Sequence, residues 1–334
     1  MAASGKRRLL FLAVGLVAFF CAGGPLAIAA DKVIFGLDFA VAGRHAGYIV
    51  AREKGFYRDE GIDAEIQRGY GSTDAVTKVA SGATTFSFGD VGSLVIARAQ
   101  DVKVTCVAMV YGNAPYVLYM RKESKIVKPG DLEGKLIGSP VGAATRVLFP
   151  AFAKAANVDA SKVKWLNLDI GARLPMLLAR KIDATISFLP EWPTMATKAE
   201  QSGIELTRMV FSDYGMNIYS NGLLVRDDML KANPDLVRRF VKATLKGLEF
   251  SFNNPAEAAS ILVSKYPELD VKTAAAEIAI VKDLAYTAEA KSGGLGYMDA
   301  NKMRLTRDVV AEAFDIKKTV SYEALYSNAF LPAR

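Results

Sequence analysis

The chain has 334 residues, 42 basic against 35 acidic for a formal charge of +7, two cysteines and a single histidine. One histidine excludes a His-x-x-x-His metal pair and a Ser/His/Asp triad, and the sequence contains no Gly-x-Ser-x-Gly elbow and no phosphate loop ending in Gly-Lys-Ser/Thr. No Lys/Arg run argues for nucleic acid. The expectation is a protein with no metal, no cofactor and no catalytic residue, although carboxylate and lysine chemistry stay open.

The first 30 residues read as a cleaved secretory signal. Lys6, Arg7 and Arg8 precede an apolar run, Leu9 to Ala22, which ends in Gly23-Gly24-Pro25 and the small-x-small site Ala27-Ile28-Ala29. The run is shorter than the roughly 20 residues of a spanning helix. Cys21 follows Phe19-Phe20, a poor setting for lipid attachment, so cleavage is expected before Ala30 or Asp31. Removal takes three of the 42 basic residues and none of the 35 acidic ones, leaving +4. The mature chain keeps only Cys106, so its stability must come from a core and not from disulfides. About 300 residues usually divide into two domains.

From Asp31 onward short apolar runs alternate with helical patterns, which predicts α/β architecture with parallel strands. Strands are expected at Val33–Phe39, Ala64–Gln67, Thr85–Phe88 and Val102–Val110, with helices at His45–Glu53, Thr73–Ala80 and Leu94–Arg98. A second unit starts near Asp131, with strands at Lys135–Ser139, Lys164–Leu168 and Ala184–Phe188 and helices at Ala143–Ala156 and Arg173–Arg180. The stretches Lys78–Gly89 (KVASGATTFSFG) and Leu177–Leu189 (LLARKIDATISFL) echo one another as helix end, tight connection and β-rich run. That is weak self-similarity, consistent with two related lobes. After a strand at Gly222–Arg226 the chain turns helical, at Asp227–Asn253, Pro255–Lys265, Val271–Asp283 and Asn301–Phe314.

Phe39 to Gly61, FAVAGRHAGYIVAREKGFYRDEG, resembles the opening of the solute-binding proteins of ABC transporters for nitrate, sulfonates, taurine and thiamine-pyrimidine precursors. Ala51, Gly55, Phe56, Tyr57 and Gly61 carry the match. Gly71-Ser72-Thr73 with Ser81-Gly82, Asp131-Leu132-Glu133-Gly134-Lys135 and Asn233-Pro234 follow in the family's order, over essentially the whole mature chain. Thr84 and Thr85 stand where such proteins often carry an acidic residue. The resemblance implies a two-lobe periplasmic-binding-protein fold with the ligand cleft between the lobes. The expected boundaries are 31–121 and 223–334 for lobe 1 and 122–222 for lobe 2, with crossovers near Arg121–Glu123 and Tyr219–Gly222.

In open parallel sheets ligands sit beyond the carboxyl ends of strands, near helix N-termini. That rule selects Phe39, Arg44, His45, Tyr70, Ser72, Asp90, Tyr111 and Asn113 in lobe 1, with Asp38 and Ser93 beside them. In lobe 2 it selects Ser139, Thr145, Arg146, Glu191 and Trp192, and near the second crossover Tyr214 and Asn217 with Tyr219. His45 and Glu191 match the positions where the pyrimidine-precursor branch carries a ligand-facing histidine and a glutamate that accepts from the ring amino group. His45 reads equally as a core histidine, Arg44 and Arg146 as solvated arginines, Asp90 as a turn residue and Glu191 as a helix cap.

The expected function is capture of a small molecule for an ABC importer by a monomeric periplasmic protein whose partner is the transporter permease. A planar amino- or amide-bearing ring held by Glu191 and aromatic side chains competes with an alkyl sulfonate or taurine held by Arg146. Two other classes stay open: a pyrimidine-precursor-synthesising enzyme on the same fold, whose cysteine-rich iron motif is missing here, and a sensor domain.

Overall fold

The computed structural model describes residues 1–2, 30–318 and 320–333. The expected leader falls almost wholly on residues 3–29, outside them. Among the described residues no helix is long and apolar enough to cross a membrane.

Among the described residues ten strands form two five-stranded sheets, each flanked by helices. In chain order they are β1 (Asp31–Gly36), β2 (Ile62–Gln67), β3 (Phe86–Asp90), β4 (Val104–Met109), β5 (Tyr116–Arg121), β6 (Leu136–Ser139), β7 (Lys164–Asn167), β8 (Ala184–Phe188), β9 (Leu206–Val210) and β10 (Asn221–Arg226). The first sheet runs β2-β1-β3-β10-β4 and the second β7-β6-β8-β5-β9. Each has a parallel trio at one side, and each receives a strand from the other end of the crossing as an antiparallel fourth member. The two echoing sequence stretches end in β3 and β8, the central strands of their sheets. Both are buried along their whole length, which is why they read as continuous apolar runs.

The first crossover lies at residues 110–115, not near Arg121–Glu123, because Tyr116–Arg121 pairs with β8 and β9 in the second sheet. Lobe 2 therefore begins before Tyr116 and not at residue 122. The strand hid because it is buried throughout and shows no alternation; the turn Gly112-Asn113-Ala114-Pro115 was the available signal. The second crossover runs from β9 to β10, residues 211–220. The crossovers hydrogen-bond to each other: Val110 and Tyr111 N–H donate to the Asn221 carbonyl (3.0 and 2.8 Å), and Ser220 N–H donates to the Tyr111 carbonyl (3.1 Å).

The C-terminal helices pack on the first sheet. In the helix Pro234–Asn253, Val237, Phe240, Val241, Thr244 and Leu248 recur at helical spacing on its buried face. Phe240 stacks on Phe86 at 3.9 Å between ring centroids and meets Phe35 edge-on at 5.2 Å. Gly247 lets this helix touch the helix Ala46–Glu53, since a Cβ there would lie 2.3 Å from the Gly47 carbonyl oxygen. The last long helix, Ala300–Ala313, reaches the crossovers and the other lobe. Its Thr306 hydroxyl accepts from Tyr219 N–H (3.0 Å), and Glu312 pairs with Lys154 of lobe 2 (2.6 Å).

Candidate functional site: a polar cleft between the lobes

A cavity of about 630 Å³ opens between the lobes. Lobe 1 contributes the stretch Phe39–Ala42, Arg44 and Glu277, and lobe 2 contributes Arg173, Leu174, Glu191, Thr194 and Met195. The size and the mixture of apolar wall with a few polar groups are those of a small-molecule site.

Its floor on lobe 1 is built where β1 ends. Asp38 is fully buried and accepts from Arg44 Nη1 (2.8 Å), from Asn221 Nδ2 (2.9 Å) and from His45 Nε2 (2.9 Å). His45 Nδ1 accepts from the Ala42 backbone N–H (3.1 Å), which places the imidazole proton on Nε2 and makes that nitrogen the donor. Both ring nitrogens are thus engaged and the ring is fully buried. Of its two readings, the structure places His45 as a satisfied core histidine behind Arg44. Burial, with the Arg44 charge next, lowers its pKa to about 4, so the ring is neutral. Burial alone would raise Asp38; Arg44 and His45 outweigh it and hold the carboxyl at about 2.

Arg44 is therefore no surface arginine. Its guanidinium lies between the rings of Phe39 (5.9 Å) and Phe188 of lobe 2 (5.4 Å) and rests on Asp38, while its Nε has no partner. The hydroxyls of Tyr48 and Tyr111 are also buried and unpartnered, and Tyr111 feels the Arg44 charge.

On the lobe 2 wall Glu191 faces the cavity and pairs with Arg173 (3.0 Å), which also donates to the Ile186 carbonyl (2.8 Å). Its side chain makes no cap hydrogen bond to the helix Trp192–Gln201. Trp192 turns the other way, stacking on Tyr119 at 5.7 Å with Arg208 over it at 4.8 Å, so it belongs to the lobe 2 interior and not to the cavity wall. Arg146 is engaged too: it donates to the Ser139 carbonyl (3.1 Å) and lies over Trp165 (5.0 Å).

The other selected residues divide between core and rim. Asp90 caps the helix Val91–Ala99 through Ser93 N–H (2.7 Å) and accepts from Ser220 (2.9 Å) and from the Tyr116 hydroxyl, so it knits the second crossover and the start of β5 to β3. Burial raises its pKa. Asn113 in the first crossover accepts from Lys302 (2.8 Å). Ser72 and Thr145 are buried, with the Ser72 hydroxyl unpartnered, and the Ser139 hydroxyl turns to the Pro140 carbonyl (3.2 Å). Tyr70 is 60% exposed beneath Arg68 and Lys78, Asn217 is exposed, and Tyr214 meets Phe152 edge-on at 6.1 Å. Beside Tyr70 the lobes touch at Gly71 and Gly142; a Cβ at Gly71 would lie 2.4 Å from the Gly142 carbonyl oxygen.

The sequence reading missed Arg173, Thr194 and Glu277. Glu277 sits in the helix Val271–Ala285, where Ala274, Glu277, Ile278, Val281 and Leu284 form the buried face. One carboxylate on an apolar helical face was the signal that could have found it. Its pKa is raised to about 7, first by burial, which together with the nearby Glu191 charge outweighs the opposing Thr194 hydrogen bond and Arg44 charge.

A family model described as NMT1/THI5 like matches residues 42–258. The chain belongs to that family. Riboflavin-binding protein RibY from Chloroflexus aurantiacus is 24% identical over 309 residues, 90% of this chain and 86% of that protein. A formylaminopyrimidine-binding protein from Halalkalibacterium halodurans is 25% identical over 244 residues, 72% of each chain. Other relatives, such as one from Legionella pneumophila at 23% identity over 72% of this chain and 75% of its own, carry the name 4-amino-5-hydroxymethyl-2-methylpyrimidine phosphate synthase. In three dimensions the chain resembles the alkanesulfonate-binding protein SsuA from Xanthomonas axonopodis pv. citri bound to MOPS, with a TM-score of 0.68 at 12% identity over 90% of this chain and 100% of that one. The fold is that of the periplasmic binding proteins, as the sequence resemblance implied.

Proposed function

We propose that this protein is an exported receptor that captures a neutral, planar, amide- or amino-bearing ring compound, of pyrimidine or flavin type, for an ABC importer. The observation that carries the ligand class is the charge pairing of the cleft. Arg44 already rests on Asp38 and Arg173 on Glu191, and Glu277 adds a further carboxyl group to the wall. A sulfonate entering there would meet two carboxyl groups and arginines already paired with carboxylates. Lys198, the lining cation in no ion pair among the described residues, is exposed and leaves a buried anion without an enclosed partner, which is costly. A ring edge that offers N–H donors fits better, because Glu191, 17% exposed on the cavity wall, can accept from it. The relatives that bind riboflavin and a formylaminopyrimidine agree with this chemistry.

The reading involves no reaction. Its only histidine is neutral with both nitrogens occupied, and so is unavailable as a base. The protein acts as a monomeric periplasmic carrier with the permease as its partner, and the ligand leaves unmodified. The test is a thermal-shift screen of riboflavin, formylaminopyrimidine, other pyrimidines and alkyl sulfonates, followed by calorimetry and mass spectrometry of the recovered ligand. Stabilisation by ring compounds with no product is the expected result. Stabilisation by sulfonates alone, or a changed ligand, overturns it.

A further inference from the structure

Glu277 holds a position unlike that of any other carboxyl group in the cleft, because its two oxygens serve different lobes. One accepts the backbone N–H of Arg44 in lobe 1 (3.2 Å), and the other meets the hydroxyl of Thr194 in lobe 2. The side chain is almost fully enclosed, one oxygen covered by Gly43 and Arg44 of lobe 1 and the other by Thr194 of lobe 2. Opening the cleft by hinge motion strips away Thr194 and returns the carboxyl to water.

We infer that Glu277 is a proton-operated catch between the lobes, bridging them when protonated and favouring their separation when ionised. This rests on the reading of the cleft as a ligand site that closes. The groups acting on Glu277 from the packed elements are Arg44, which is already held by Asp38, the like-charged Glu191, and the Thr194 hydroxyl. Of the cations on neighbouring helices, Lys282 donates to the Phe252 carbonyl (3.2 Å) and Lys265 pairs with Glu53 (2.9 Å), while Lys198, one turn beyond Thr194 on the same cavity wall, is exposed to solvent. Ionised, the carboxylate would sit in a closed cleft without a buried cation of its own, since Arg44 is held by Asp38. Protonated, it can donate to the Thr194 oxygen and still accept from Arg44 N–H.

The sign follows from linkage. The carboxyl titrates at about 7 when enclosed and near its ordinary 4.5 when solvated, so the closed form binds more protons and closure is favoured as pH falls. A single proton coupled in this way changes the closure constant about 10-fold between pH 6 and pH 8, and levels off below about 4.5.

The experiment reads lobe separation without ligand, by fluorescence energy transfer between dyes on Lys181→Cys in lobe 2 and Lys272→Cys in lobe 1. Both positions are exposed, and Cys106 is fully buried. The closed population should fall about 10-fold relative to the open one from pH 6 to pH 8. In Glu277→Gln, or in Glu277→Met if the amide is not accommodated, it should be flat. A wild-type ratio that does not change over this range overturns the inference, as does a variant that keeps the change. A second measurement uses riboflavin as the probe: calorimetry at pH 7 in phosphate and in Tris should show uptake of about half a proton per ligand bound. If riboflavin and the pyrimidines do not bind while separation still follows pH, the ligand reading falls and the catch stands. If they bind without proton uptake and separation ignores pH, the catch falls alone.

Discussion

The two walls of the cleft are built differently. On lobe 1, Asp38, Arg44, His45 and Asn221 are all but fully buried and joined by hydrogen bonds of 2.8–2.9 Å, so their geometry is set before any ligand arrives. On lobe 2 the Arg173–Glu191 pair is partly open, its side chains 6% and 17% exposed. Partial exposure lets Glu191 accept from a further donor on its open side while Arg173 stays in place on the Ile186 carbonyl. The contrast teaches that one wall fixes orientation while the other adapts and selects. Removing a residue from the fixed wall should damage folding, and removing one from the adaptable wall should damage binding.

The largest effect expected is from Asp38→Ala. It leaves Arg44 as an uncompensated buried charge and frees His45 and Asn221, a loss of about 3–5 kcal/mol in unfolding free energy by urea titration. A loss below about 1 kcal/mol would break the fixed-wall description. Acid comes next. The folded pKa of His45 is about 4 against an ordinary 6.5, so the neutral buried ring contributes stability that is fully present above pH 6.5 and lost as pH falls through 4. Asp38, at about 2 against 3.8, contributes stability present above pH 3.8 and lost towards pH 2. Glu277, at about 7 against 4.5, contributes in the opposite sense over the same range, so the His45 loss is read in a Glu277→Gln background. There the unfolding free energy should drop by up to about 3 kcal/mol between pH 7 and pH 4, and the drop should shrink when His45→Gln is added.

Glu191→Gln should weaken binding of an amino- or amide-bearing ring by about 1.5–3 kcal/mol, roughly 10- to 150-fold by calorimetry, and cost less stability than Asp38→Ala because the amide oxygen can still accept from Arg173. Equal affinity in the variant would remove Glu191 from ligand recognition. Smallest is Arg146→Ala, which loses its contact over Trp165. The expected cost is about 0.5–1 kcal/mol of stability, with less than about a 3-fold change in affinity. A large loss of affinity would revive an anion-holding role for Arg146.

Much of the fold was legible because its signals are local. Apolar runs and glycine punctuation located the strands of both parallel trios, and the helix Pro234–Asn253 announced itself by Pro234 and its apolar stripe. β5 and β9 escaped, since neither alternates cleanly and their place in the sheet depends on pairing with β8 and with each other, distant in sequence. For the site, the rule of strand ends led to Phe39, Arg44 and Glu191, all on the cavity wall. The same rule chose Trp192 and Arg146, which a single backbone direction turns inward to Tyr119 and Trp165. Glu277 arrives from a helix more than 230 residues beyond Arg44, so no strand-end rule reaches it. Only its misfit with the apolar face around it was there to be read.

The pairing of the two crossovers limits how the halves can move. Because Val110, Tyr111 and Ser220 lock the connecting segments into one ribbon, twisting one half about the long axis of the molecule would shear three backbone hydrogen bonds. Bending across the ribbon leaves them intact. A motion that keeps these bonds is therefore a bend across the ribbon, which would bring the two cleft walls together in one alignment. Any surface that spans both walls would then have one outline with the cleft bent shut and another with it bent open.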